Sequence, residues 1–400
     1  MKQGVNGFQS TRLREAREAR GLKCSDLAEL AGLSRQSISA YENGLTLPQK
    51  EILSRLSKIL NIPEQFLLDS TECNDIGDVF FRSFASATKT LRLRAGRKCG
   101  WVSRILDYLS GYIDFLPLTL PEIEIGGLSN NIPPEDIEKI ALECRKKWGL
   151  GDGPISDVVR LLENNGIIVS RIELETRKLD AFSTRDPNTN IPIIILGSDK
   201  DCSVRSRLDA GHELGHIILH KSVKPDQENL KIIEKQAFKF GAAFLLPSES
   251  FASDIGTPSL DTFWALKSKW KVSIAAMIMR CRDLDIINDK RKERLFINYS
   301  RKGWKRGEPL DDELQTEEPM FLKRCFKLLV NEKIRNREDF AGDLSLSNYD
   351  IETITGLPEG YLDNTGSKIQ ILPSLKNTTK TTKPTTSSTK GKVVKFPIKK

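Results

Sequence analysis

Residues 205–220 read RSRLDAGHELGHIILH, and this stretch decides how the middle of the chain is understood. It holds all three histidines of the 400-residue sequence, His212, His216 and His220. His212 and His216 are four residues apart, so on a helix their imidazoles lie one turn apart on one face. That spacing suits two ligands of one Zn2+ ion, with Glu213 beside the metal to take a proton from water. Leu214, Ile217, Ile218 and Leu219 make the same helix apolar enough to be buried. A catalytic zinc needs three protein ligands and one open position. With no histidine elsewhere, the third ligand has to be a carboxylate or a thiolate, and the helix of residues 232–247, IIEKQAFKFGAAFLLP, offers Glu234. His220, two turns beyond His212, is expected to pack beside the ligands rather than to bind.

Working outward, residues 155–166, ISDVVRLLENNG, have helical spacing, and GIIVSRIEL (166–174) reads as a strand. A loop follows, then a second strand-like run, IPIIILG (191–197), then the two helices around His212 and Glu234. The change from helical period to short β-branched runs predicts an α+β domain over residues 136–255. Four stretches together, GPISDVVRLLENNGIIV, LDAFST, RSRLDAGHELGHIILH and EKQAFKFGAAFLLP, resemble the ImmA/IrrE family of metallopeptidases. The resemblance implies a zincin-like domain in which His212 and His216 are the zinc histidines, Glu213 the catalytic base, and Glu234, in an E-x-x-A pattern, the third ligand. It also implies proteolysis of a helix-turn-helix repressor, the reaction that typifies the family. Gly211 stands where the family usually has alanine, and Phe238 where asparagine or histidine is frequent; neither change removes a ligand or the base.

Residues 8–69 read as a run of short helices. RLREAREARGL (12–22) ends at Gly21, Ser25 is placed to cap a second helix stopping at Gly32, and Ser34 a third stopping at Gly44. Pro48 opens a fourth. The stretch 25–48, SDLAELAGLSRQSISAYENGLTLP, resembles the XRE, phage repressor-like, helix-turn-helix family. Leu27, Leu33, Ile38 and Tyr41 are its expected buried contacts. Arg35, Gln36, Ser37, Ser39 and Ala40 face outward; by motif position Arg35, Gln36 and Ala40 read bases, and Asn43 with Gly44 forms the phosphate-contacting turn. Arginine and glutamine are the side chains that pair bidentately with guanine and adenine edges. Nine Lys and Arg against seven Asp and Glu over residues 8–68 leave this region only weakly basic.

The remaining segments frame these two. Residues 70–135 are a helical, basic connector with no acid between Asp78 and Asp107, expected to be a solvated helix face with added phosphate contacts as the alternative. Residues 256–365 read as helical, and 366–400 as a disordered Lys/Thr-rich tail. The net charge is +8, yet nine lysines and no acid follow Asp363, so the body is near neutral. Seven scattered cysteines with no CxxC pair read as reduced thiols, no apolar run approaches a membrane span, and MKQGVNGFQS is not expected to be a signal peptide. The expected fold is therefore multidomain: an all-α helix-turn-helix domain, an α+β zincin-like metallopeptidase domain, an α-helical C-terminal region and a basic tail. The expected function is a cytoplasmic regulator that binds a double-stranded DNA operator as a homodimer. With its Zn2+ endopeptidase it would cleave a repressor protein or its own connector, the latter cut separating the DNA-binding part from the zinc part. The alternative is a regulator whose metal pocket senses a ligand without proteolysis.

Overall fold

A computed structural model describes residues 4–70, 88–122, 131–173, 180–198, 203–221 and 229–363. The basic tail and the start of the basic connector lie outside these residues. The N-terminal part contains α1 (Ser10–Ala19), α2 (Cys24–Ala31), α3 (Arg35–Glu42) and α4 (Lys50–Leu60), then a 3-10 turn over Glu64–Leu68. Leu13, Ala16, Leu27, Ile38, Leu56 and Phe66 are fully buried between them. Ser34 caps α3 as expected, accepting from the Ser37 backbone N–H at 3.0 Å. Ser25 does not cap α2: the helix starts one residue earlier, and Asp26 accepts the Lys23 N–H at 2.8 Å instead. A carboxylate in the first turn also suits the positive end of the helix dipole. Gly32 ends α2 at φ 63°, a left-handed conformation that glycine adopts without a steric penalty.

Helix α5 (Lys89–Ser110) lies along α1 and corrects the expectation of a solvated basic face. Trp101 is buried, and its indole N–H donates to Glu15 at 2.8 Å. Arg97 pairs with Glu18 at 2.9 Å, Arg104 pairs with Asp69, and Lys98 is buried against Asp350 at 2.8 Å. These cations answer acids of the helical domain and of the C-terminal region, which a local charge count does not register.

The middle of the chain holds α6 (Pro134–Lys147), α7 (Val158–Asn164), β1 (Ile168–Ile172), β2 (Ala181–Arg185), β3 (Pro192–Gly197), α8 (Ser203–Leu219) and α9 (Leu230–Leu245). The strands form a sheet in the order β1-β3-β2. β1 runs parallel to β3, with Ile168 opposite Ile193, and β2 runs antiparallel, with Ser183 opposite Ile194. β2 occupies a segment that reads as a loop in sequence. Ala181, Phe182, Ser183 and Thr184 are all buried, so no polar-apolar alternation marks the strand. The run Ile193–Leu196 has the opposite signature, apolar on both faces because both faces are covered.

The sheet divides two cores. Ile194, Leu196, Val169 and Ala181 face a core built with α6–α9. That core continues through α10 (Ser248–Ile255), α11 (Leu260–Trp270), α12 (Ile274–Asp283) and α13 (Asp289–Arg301). Ile193, Ile195, Ile168 and Phe182 face the other core. There α14 (Phe321–Asn331), α15 (Asp339–Leu344) and α16 (Asn348–Thr355) pack with α5 and the N-terminal helices. The Asp350 carboxylate on α16, fully buried, takes Arg20 at 2.5 Å and Lys98 at 2.8 Å. The N-terminal helices are thus joined to the rest of the chain by packing and buried ion pairs as well as by the connector. Among the described residues no helix is long and apolar enough to cross a membrane.

Candidate metal centre and recognition helix

The α8 and α9 helices approach closely enough to bring their polar residues together. A Cβ on Gly241 would lie 2.9 Å from the His212 backbone nitrogen, and one on Gly215 3.0 Å from the Ala237 carbonyl oxygen. Gly241 is therefore required by the contact, and at Gly215 a side chain would fit only if α9 gave way by a few tenths of an ångström. Gly211 is not: a Cβ there would meet Gly241 Cα at 3.4 Å, an ordinary contact, so the departure from alanine is conservative.

At this crossing the Nε2 atoms of His212 and His216 are 3.0 Å apart. Glu234 Oε2 lies 3.2 Å from His212 Nε2, and Oε1 3.4 Å from His216 Nε2. The three residues are the one group of three such donors among the described residues, with ligand atoms within 4.8 Å of one another. A carboxylate, not a thiolate, completes it. Two imidazole lone pairs this close repel unless a cation or a proton lies between them. Ligands bound at about 2.0–2.2 Å to one tetrahedral ion have this kind of spacing. The Glu234 carboxylate is held well below the ordinary range: burial opposes ionisation, and the two imidazoles outweigh it. Burial also lowers both histidines, but at His212 Glu234 and Glu213 overcome it and raise the pKa, while at His216 burial wins.

Behind the cluster runs a buried relay. His216 Nδ1 lies 3.1 Å from His220 Nδ1, and His220 Nε2 lies 2.9 Å from Gln236 Oε1. The amide oxygen only accepts, so His220 Nε2–H donates to it. His220 Nδ1 then accepts from His216 Nδ1–H, which leaves the lone pair of His216 on Nε2, facing the cluster. His220 thus fixes the ring of His216 through this contact. On the other side, the Ser183 hydroxyl donates to Glu213 Oε2 at 2.7 Å, with both residues buried.

In the N-terminal helices, Arg35 and Gln36 are exposed at the start of α3, and Ser37, Ser39 and Ala40 are half-buried. Arg17 grips Glu42 at the end of α3 with two hydrogen bonds, 2.5 and 2.8 Å long, fixing the helix to α1. Asn43 is exposed but engaged: its Oδ1 accepts from Arg14 at 2.9 Å, and its Nδ2 donates to Ser39 at 3.3 Å.

Residues 13–67 match the family model for a helix-turn-helix, and residues 162–282 match that for an IrrE N-terminal-like domain. The chain joins a helix-turn-helix domain to an IrrE-like domain. Over 60 residues it is 35% identical to an uncharacterized HTH-type transcriptional regulator, YonR, derived from the SPbeta prophage of Bacillus subtilis (strain 168). That match covers 15% of this chain and 56% of the relative, so the chain spans little more than half of the relative's length.

Sequence reasoning missed Ser183 in the IrrE-like domain, because the strand that carries it was read as a loop. Arg14 was missed in the helix-turn-helix domain: it lies on α1, 29 positions from the Asn43 it touches. Its half-exposed charge adjoins the phosphate-contacting turn that the XRE resemblance implies.

Proposed function

We propose that this chain is a DNA-binding transcriptional regulator carrying a zinc-dependent endopeptidase, with α8, α9 and the sheet arranged as in a zincin. The observation that carries the reading is the convergence of His212, His216 and Glu234 with Glu213 on the same helix as the two histidines. Zinc bound by those three residues supplies a Lewis acid that polarises a peptide carbonyl and acidifies water. Glu213 then removes a proton from the attacking water and returns it to the leaving amine. Ser183 holds one oxygen of Glu213, leaving the other for the reaction. His220 and Gln236 keep His216 in its ligating tautomer. The test is incubation of the purified chain with zinc and candidate helix-turn-helix repressors, with and without chelator. Cleavage that disappears in Glu213→Gln supports the assignment, and intact repressors under all conditions overturn it.

The helix-turn-helix domain, residues 8–69, is assigned to a two-fold symmetric operator bound as a homodimer, with Arg35, Gln36, Ser37, Ser39 and Ala40 at the bases and Asn43 at the phosphates. This helix class places two recognition helices in major grooves about one turn apart. Arg35→Ala should cost about 1–3 kcal/mol at one base position and relax specificity there. Equal loss on every sequence, in a binding assay over operator variants, would restrict Arg35 to phosphate.

One observation favours a second reading, a metal pocket that senses a ligand without cleaving. The sheet that flanks α8 presents its other face to the core shared with the N-terminal helices, so a change at the metal centre has a packed route to them. Under that reading Glu213→Gln leaves regulation by the ligand intact.

A further inference from the structure

A cleft of about 1250 Å³ is walled by α8, α9, α12 and α13, the first two being the helices that carry the His212, His216 and Glu234 cluster, though those three residues are not in its lining. Phe238 joins the two: its ring lies 4.1 Å from that of His212, and its side chain lines the cleft with half its surface exposed. Leu208, one turn before His212, lines the same wall, and the exposed Met279 lies on the facing helix α12. The cleft exceeds the roughly 300–1,000 Å³ of sites for drug-sized ligands, so it has room for several residues of an extended chain.

Its α8–α9 wall carries charges of one sign. Arg205, Lys235 and Lys239 stand on the α8–α9 wall, and among the described residues none of them is in an ion pair. Lys235 and Lys239 flank Phe238, one following the Glu234 ligand and the other a turn later. Across the cleft both signs occur, with Asp283 and Asp312 beside Lys305 and Arg306 in the lining, and four of the six acids are paired. Arg282 holds Asp285 and Asp289, and Lys267 holds Glu308 and Asp311. Three cations outside any ion pair among the described residues therefore share the wall of Phe238, with apolar surface between them, Arg205 also acting on Asp209 and Tyr299.

We infer that this cleft selects the substrate: it takes an extended segment of a separate partner protein in which acidic residues flank an aromatic or large aliphatic side chain. The inference rests on the peptidase reading and names its substrate class. The apolar side chain seats against Phe238 and Met279, and the flanking carboxylates meet Arg205, Lys235 and Lys239. The chain's own basic end does not fit, since residues 364–400 carry nine lysines and no acid.

The test uses the full chain as Glu213→Gln, loaded with zinc so that peptides bind without turnover. Two fluorescein-labelled peptides are compared by anisotropy, Glu-Asp-Phe-Leu-Asp-Glu and its counterpart with lysine at every acidic position. The acidic peptide should bind at least about tenfold more tightly, with the difference shrinking as salt rises. Arg205→Glu, near the start of α8 and two turns before His212, should reduce the preference, and the triple reversal with Lys235→Glu and Lys239→Glu should invert it. Zinc content and melting curves confirm that each variant is folded and loaded. Equal affinity for the two peptides, or a preference unmoved by the reversal, overturns the inference. Addition of unlabelled peptide 71–81, TECNDIGDVFF, tests the chain's own acidic segment, and displacement as tight as the best partner sequence overturns the assignment to a separate protein. Selective binding with no hydrolysis by the wild-type chain defeats the peptidase reading alone. Hydrolysis without selectivity defeats only the cleft.

Discussion

Glu213 and His216 show how single side chains are tuned by neighbours far away in sequence. Ser183 from β2 bonds Glu213 directly, whereas Gln236 from α9 bonds His220, which in turn contacts His216 Nδ1 and sets its tautomer. Glu213→Gln should retain about one zinc per chain while peptide hydrolysis falls by about 10²–10⁴-fold or more. Elemental analysis and a cleavage assay on the same preparation check both halves. Removing the relay acts on the other quantity: His220→Ala should weaken zinc binding about 10–100-fold, measured by chelator competition. Unchanged affinity would mean that His216 finds its tautomer without His220.

At the scale of elements, the α8–α9 crossing and the α1–α3 clamp each rest on a few positions. Gly241→Ala places a methyl group against the His212 backbone, so the helices must part. Overpacking of this kind costs about 1–3 kcal/mol. The variant should melt earlier and bind zinc more weakly, because Glu234 moves with α9; a stable variant with full zinc affinity would show that the crossing tolerates displacement. In the helix-turn-helix domain, Arg17 and Glu42 form a buried bidentate pair. Glu42→Ala leaves the Arg17 charge buried without it, at about 3–5 kcal/mol. Operator affinity should fall together with thermal stability, since α3 loses its anchor. The spacing of Leu27, Ile38 and the Ser34 cap made these helices legible in sequence, whereas the α1–α3 clamp joins residues 25 positions apart and was not.

For the whole molecule, the buried triad of Asp350, Arg20 and Lys98 connects three parts of the chain. Burial opposes ionisation of Asp350, but the two cations outweigh it and hold the carboxyl well below its ordinary value of 3.8. Burial pushes Lys98 down to about 8 against the pull of Asp350, so Arg20 is the firmer partner. A carboxyl whose folded pKa is depressed contributes stability that is fully present above its unfolded value and is lost as pH falls toward the folded value. Docking of the N-terminal helices should therefore weaken progressively below about pH 4. In Asp350→Asn that acid-dependent part should be absent and the melting temperature lower at neutral pH. Melting curves from pH 3 to 7 on both proteins distinguish this from general acid unfolding, which would give parallel slopes. The same contacts predict that limited proteolysis of the connector yields fragments that co-elute in size-exclusion chromatography, and separate elution would show that the shared core does not hold them.

Sequence alone was enough to determine what repeats locally. HELGH places two imidazoles one helical turn apart whatever surrounds them, and IIEKQAF sets Glu234 on a helix with an apolar face. The Ser34 cap and the apolar spacing of residues 25–60 likewise specify consecutive short helices, because capping and periodicity act within a few residues. Only the tertiary structure decided what depends on distant contacts. It brought the Glu234 carboxylate, and no thiol, beside His212 and His216 among the described residues, by crossing α9 over α8 at Gly215 and Gly241. It made a strand of Ala181–Arg185, whose two buried faces erase the alternation that would have announced it. It turned the basic stretch from a solvated face into a buried partner of α1 and α16, because Glu18, Asp69 and Asp350 meet its cations only once the chain has folded back.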